Sequence, residues 1–199
     1  MIKNVIFDIG NVLTDYRYMD FLGDFGYPDD FCKRLADAIM LSPYWCEFDR
    51  HVWSWDKIVD AFVSMDPEIE DDIRRVIKSQ KGLVRGMDYA IPWIKELKSK
   101  GYGVYYLSNF SLYCREDCDK ALNFIPYMDG GVFSFECHMV KPDHDIYEHI
   151  LEKYGLVAGE CVFIDDMAVN IKTATEVGLK TILFETYEGT RSELDKLLA

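Results

Sequence analysis

The stretch NVIFDIGNVL, Asn4 to Leu13, decides how the rest of the chain is read. Its first half, Val5-Ile6-Phe7, is apolar, β-branched and aromatic, the composition of a buried strand. The run stops at a charge, Asp8, and is followed by Ile9, Gly10 and Asn11. A carboxylate at the end of an apolar strand is either an ordinary turn residue or a functional group set at the rim of a core. Gly10, two residues on, offers no side chain at all.

Three further runs have the same character: GVYYLS at 103–108, CVFID at 161–165 and KTILF at 180–184. Helical patterns lie between them. Ile146, Ile150, Leu151 and Tyr154 share one face and end at Gly155, and Ile171, Ala174 and Val177 do the same before Gly178. Strands alternating with helices predict an α/β fold, a Rossmann-like parallel sheet with helices on both faces. The segment from about Asp15 to Leu83 contrasts with this. It shows no convincing strand but three helical stripes: Phe31/Leu35/Ala38/Ile39, Ile58/Ala61/Phe62 and Ile69/Ile73/Val76/Ile77, the last opened by Asp66-Pro67 as N-cap and first helical residue. The expected division is therefore a Rossmann-like core of residues 1–14 and 84–199, interrupted by a helical insertion at 15–83. Such an insertion lies over the carboxyl ends of the strands, where open α/β sheets bind ligands.

A chain of 199 residues that is 49% hydrophobic and 15% aromatic buries an ample core. Its net charge of −13 repels nucleic acid and anionic membranes, so neither is an expected partner. No run reaches the roughly 18 apolar residues of a bilayer span, and the N-terminus lacks a secretory apolar region, so a cytoplasmic location is expected. The six cysteines are then expected to be free thiols. Cys114, Cys118, Cys137 and His138 do not have a standard zinc spacing. The sequence leaves the oligomeric state open.

Each strand end carries polar residues that have a plain explanation alone. Ser108-Asn109 can cap the following helix. Lys141-Pro142 can be a solvated lysine before a helix start at Asp143. Asp165-Asp166 can be an N-cap with its neighbour, although adjacent carboxylates at a strand end already invite a cation.

Taken in order, Asp, Ser-Asn, Lys and Asp-Asp, carried by Ile6–Val12, Leu107–Asn109, Lys141–Asp143 and Phe163–Asn170, resemble the motifs of the haloacid-dehalogenase superfamily. The resemblance spans the whole core, and the insertion point matches that family's helical cap. The pattern is similar to the small Asp-x-Gly-Asn sugar-phosphate phosphatases and to the N-terminal phosphatase domain of soluble epoxide hydrolases. It implies a Mg²⁺-dependent phosphatase acting on a small phosphate ester through an aspartyl phosphate. Asp8 is then the nucleophile. Asp8, the Gly10 carbonyl and Asp166 hold the metal, Asp165 is a further or supporting ligand, and Asn170 orients them. Lys141 neutralises phosphate against Asp8, while Ser108 and Asn109 hold phosphoryl oxygens.

At Gly10 the chain departs from the commoner pattern, in which a second aspartate protonates the leaving group and then activates water. Such groups typically contribute about 10²–10⁴-fold. The glycine either answers to a left-handed backbone or withholds that carboxylate. Asp15, near the hinge, is a possible substitute. Two alternatives stay open beside the phosphatase: a catalytically weak phosphate- or partner-binding protein, and a 2-haloacid dehalogenase, whose members also lack the second aspartate. Specificity is expected from SPYWCEFDRHVWSW, 42–55, where Tyr44, Trp45 and Arg50 either face the substrate or pack the insertion.

Overall fold

The computed structural model describes every residue from Met1 to Ala199. Seven strands form two sheets: β1 Asn4–Phe7, β2 Thr14–Tyr16, β3 Val84–Gly86, β4 Gly103–Ser108, β5 Gly130–Phe133, β6 Cys161–Asp165 and β7 Lys180–Leu183. Five of them make a parallel sheet in the order β5-β4-β1-β6-β7. All four runs picked out in the sequence are in it. The fifth strand, β5, escaped notice because it begins with two glycines and offers only Val132 and Phe133 as apolar signal.

Pleating sends alternate side chains to opposite faces of the sheet, and both faces are covered. Val5, Phe7, Val104, Tyr106, Val162 and Ile164 join one core, with Trp93 packed edge-on against Phe7 at 4.8 Å. Ile6, Leu107, Val132 and Phe163 face the other, under Ile146, Tyr147 and Ile150 of the helix His144–Tyr154. Gly155 closes that helix at φ +63°, the left-handed turn a glycine makes without a Cβ penalty.

After β1 the chain leaves through β2 and returns through β3, which pair antiparallel from Thr14–Gly86 to Tyr16–Val84. The first of these is a correction to the strandless reading of residues 15–83, since Asp15 and Tyr16 belong to a strand; three residues are too few to show a period. Between the two strands the chain is helical: Tyr18–Gly23, Asp29–Ala38, Trp45–Arg50, Trp55–Met65 and Glu70–Ile77, with a 3₁₀ turn at Pro67–Ile69. Leu35, Ile39, Phe48, Ile58, Phe62, Ile73 and Val76 are buried together and continuous with the core under Trp93. Pro67 opens its turn as expected, but the Asp66 carboxylate makes no cap bond and is instead gripped by the Arg34 guanidinium. No helix is long and apolar enough to cross a membrane.

Candidate active site

The parallel strands deliver their last residues to one edge of the sheet, and the helical insertion closes over it. Between them lies a cavity of about 300 Å³, lined on the sheet side by Asp8, Gly10, Ser108, Asn109, Lys141 and Asp166. The opposing wall includes Tyr16, Trp45, Asp49, Leu83 and Val84.

Lys141 is the hub of the polar floor. Its Nζ lies 2.9 Å from Asp8 Oδ1 and 2.6 Å from Asp165 Oδ2, and its side chain is almost wholly buried. Burial works against the charge, but Asp165 and Asp8 outweigh it, so the ammonium pKa sits above its ordinary value. Asp165 is fully committed within the protein. It accepts from Lys141, from Asn170 Nδ2 at 3.0 and 3.1 Å, and from the Met167 N–H at 2.8 Å. Asp8 Oδ1 also accepts from the Ile9 N–H at 2.7 Å, which leaves Oδ2 with no protein partner. Asn109 does not point its amide at the cavity centre. It donates to the Lys141 carbonyl at 2.8 Å and accepts from the Lys141 N–H at 2.7 Å. Ser108, buried, makes only a 3.5 Å contact with the Asn109 carbonyl.

Carboxylate oxygens of Asp8, Asp165 and Asp166 all lie within 4.8 Å of one another. Burial pushes Asp8 up to about 7 against the pull of Lys141, with Asp165 and Asp166 pushing the same way. Burial raises Asp166 as well, although Asn11 Nδ2 donates to it at 2.9 Å. Three clustered carboxylates facing one lysine carry surplus negative charge, which a divalent cation would neutralise, and an all-oxygen donor set suits Mg²⁺. Asp8 and Asp166 have the less occupied oxygens; Asp165 belongs to the same cluster, with its oxygens already engaged by Lys141, Asn170 and the Met167 N–H. No other group of three potential ligands gathers anywhere in the fold. Cys114 and Cys118 sit 3.9 Å apart, but Cys137 turns to the Phe133 and Ser134 carbonyls and His138 to that of Arg50.

The remaining residues marked in the sequence separate clearly. Trp45 lines the cavity, whereas Tyr44 packs on Trp53 at 6.1 Å and is absent from the lining. Arg50 also lies outside, paired with Asp143 at 3.1 Å and Glu47 at 3.2 Å. Asp15 is paired with Arg85 at 2.7 Å across the β2–β3 ribbon and is likewise not part of the lining. Gly10 is outside the left-handed region, and a Cβ there would meet nothing within 4 Å. The positive φ falls instead on Asn11, at 54°. Backbone geometry therefore does not require the glycine.

One carboxylate of the lining escaped the sequence reading altogether. Asp49, in the helix Trp45–Arg50, is 5% exposed and lines the cavity. Burial, with Asp8 adding to it, pushes its carboxyl up to about 8 against the pull of Lys141. The only signal it gave was its place in the aromatic stretch 42–55.

The chain matches the family described as haloacid dehalogenase-like hydrolase over residues 2–178. A sesquiterpene phosphatase of Aspergillus oryzae is 25% identical to it, over 98% of this chain and 96% of that protein. A D-ribitol-5-phosphate phosphatase of Bacteroides thetaiotaomicron is 26% identical, over 100% and 99%. Among solved structures, a Bacteroides thetaiotaomicron enzyme of the same family, crystallised with magnesium and inorganic phosphate, superposes with a TM-score of 0.71. It shares 22% identity, with 95% of this chain and 98% of that one covered.

Proposed function

The chain belongs to the haloacid dehalogenase-like hydrolases, and from that premise we propose that it is a Mg²⁺-dependent phosphatase of small phosphate monoesters. The observation that carries this reading is the buried Lys141 ammonium shared by Asp8 and Asp165, with Asp166 beside them. Phosphoryl transfer asks chiefly for positioning and charge neutralisation, and this floor supplies both.

Asp8 and Asp166, with the Gly10 carbonyl, would hold the ion, which when bound lowers the repulsion between a carboxylate and a phosphate dianion. The chain's own residues do the rest. Asp8 Oδ2, free of protein partners, attacks phosphorus in line while the ester P–O bond breaks, leaving an acyl phosphate on Asp8. Lys141, held by Asp165 and by Asn109, sets its charge between the nucleophile and the phosphoryl oxygens. The Ser108 hydroxyl, with only a marginal contact of its own, is available to donate to a phosphoryl oxygen. Water then attacks phosphorus, the P–O bond to Asp8 breaks and phosphate is released.

The organic part of the substrate rests against Tyr16, Trp45, Leu83 and Val84. About 300 Å³ is at the small end of ligand cavities, so the substrate is compact, and these walls favour a group with an apolar face. We read residues 15–83 as the cap that closes over it. The test is a panel of sugar, polyol, aryl and prenyl phosphates assayed with Mg²⁺ and with chelator. Release of phosphate that stops on chelation supports the reading; hydrolysis unaffected by chelation, or none on any ester, contradicts it.

A further inference from the structure

A phosphatase with glycine at position 10 must find its proton-transfer group elsewhere, and the helical insertion brings one to the cavity. Asp49 is buried and lines the same space as Asp8 and Lys141, yet its carboxylate makes no hydrogen bond within the protein. Its oxygens are not sealed inside the protein, and the space they face is the cavity. The neighbouring Tyr16 goes further: the phenol oxygen is buried with no partner, a costly condition that needs a reason, and the residue lines the cavity. Two polar groups on the insertion side thus face the space where a leaving group would sit.

The backbone around Asp49 is pinned to the core. Its carbonyl accepts from Ser134 Oγ at 2.8 Å, and that hydroxyl accepts in turn from the Phe110 N–H at 2.9 Å. One residue on, Arg50 pairs with Asp143, and its carbonyl meets His138 Nδ1 at 3.0 Å. These three ties attach the end of the helix to the ends of β4 and β5 and to the loop that carries Lys141. The side chain is delivered to the cavity by a fixed segment, while Asp15, the other nearby candidate, is spent on Arg85 at the hinge.

We propose that Asp49 is the acid–base residue of this hydrolase, supplied from the insertion in place of a side chain at position 10. This rests on the phosphatase reading above. In the first step Asp8 Oδ2 bonds to phosphorus, the ester P–O bond breaks, and the Asp49 carboxyl gives its proton to the departing oxygen, which leaves as an alcohol. In the second, the Asp49 carboxylate takes a proton from water as that oxygen bonds to phosphorus and the bond to Asp8 breaks. The proton is back on Asp49 and phosphate leaves. Burial, which keeps this carboxyl protonated near neutrality, fits the first role.

The experiment compares the unsubstituted protein with Asp49→Asn on an alkyl phosphate and on p-nitrophenyl phosphate, with Mg²⁺ present. Asp49→Asn is expected to lower kcat/KM on the alkyl ester by about 10²–10⁴-fold and on the aryl ester by less than about tenfold, since nitrophenolate leaves without a proton. With the aryl ester the variant should also accumulate phosphorylated protein, seen in the intact mass after acid quench, because water attack is slowed. A second variant, Gly10→Asp with Asp49→Asn, restores a carboxyl from the core side, where a Cβ has room, and should recover alkyl ester hydrolysis. Equal losses on both esters, or no loss on either, would overturn the assignment. Absence of hydrolysis by the unsubstituted protein is a different result, and would overturn the phosphatase reading itself.

Discussion

Asn109 holds Lys141 by its backbone at both polar groups, donating to the carbonyl at 2.8 Å and accepting from the N–H at 2.7 Å. The side chain that the sequence marked as a phosphate contact is, in the fold, a clamp on the loop that presents the lysine. Asn109→Ala removes both bonds. It should cost about 1–3 kcal/mol of stability, two ordinary hydrogen bonds. Activity should fall further, up to about 10²-fold in kcat, because a displaced lysine misplaces the charge. Denaturant unfolding and steady-state kinetics on one ester check both.

Lys141 itself should prove structural as well as chemical. Read in the sequence, it was either a solvated lysine before a helix or the charge that offsets phosphate against Asp8. In the fold it is the buried partner of Asp8 and of Asp165, which is wholly buried. Lys141→Met should abolish turnover and also destabilise the metal-free protein by about 3–5 kcal/mol, the usual cost of stranding a buried charge. Urea unfolding in chelator measures it; an unchanged midpoint would mean that the ion pair contributes nothing.

Asp49 gives a pH signature in the metal-free protein. Its carboxyl is raised to about 8 by burial, with Asp8 adding, Lys141 opposing, and Tyr16 and Cys114 facing it. Between about pH 4, where the unfolded chain loses this proton, and pH 8 the folded state keeps it. Folding then binds a proton, and stability falls as pH rises, by up to about 1.4 kcal/mol per pH unit. Asp49→Asn removes that dependence. Its stability relative to the unsubstituted protein should climb steadily from pH 5 to pH 8; a flat difference would place the carboxyl at an ordinary pKa.

The sheet was legible because its central strands are short apolar runs that stop at Asp8, Ser108 and Asp165, and a parallel sheet buried on both faces writes itself in such runs. β5 was not, since Gly130 and Gly131 carry no periodic signal. The floor residues were legible as short polar motifs along the chain, although the sheet order β5-β4-β1-β6-β7 sets Asp8 between Ser108 and Asp165 rather than first. The insertion's contribution was not. Tyr44, Trp45, Asp49 and Arg50 occupy one short helix and its cap, and only the docking of that helix decides which of them turn inward. Charge misled there: Arg50, the obvious anion contact, is occupied by Asp143 and Glu47, while Asp49, unremarkable in an acidic chain, faces the cavity.

That same docking separates the two aromatic candidates. Trp45→Leu should change the order of preference among esters, lowering kcat/KM for bulky aryl or prenyl phosphates about tenfold relative to the smallest one. Tyr44→Leu, which alters packing on Trp53 outside the lining, should leave the order intact. Ratios of kcat/KM across the ester panel decide it, since a general loss of folded protein cancels in them.

The acyl phosphate on Asp8 is the most direct test of the whole reading. The protein is mixed with p-nitrophenyl phosphate and Mg²⁺, quenched in acid during turnover and reduced with borohydride, which converts an aspartyl phosphate to homoserine. Peptide mass spectrometry should find that conversion at position 8 and nowhere else, and Asp8→Asn should show neither conversion nor turnover. Phosphate release with position 8 unmodified, or undiminished in Asp8→Asn, would contradict it.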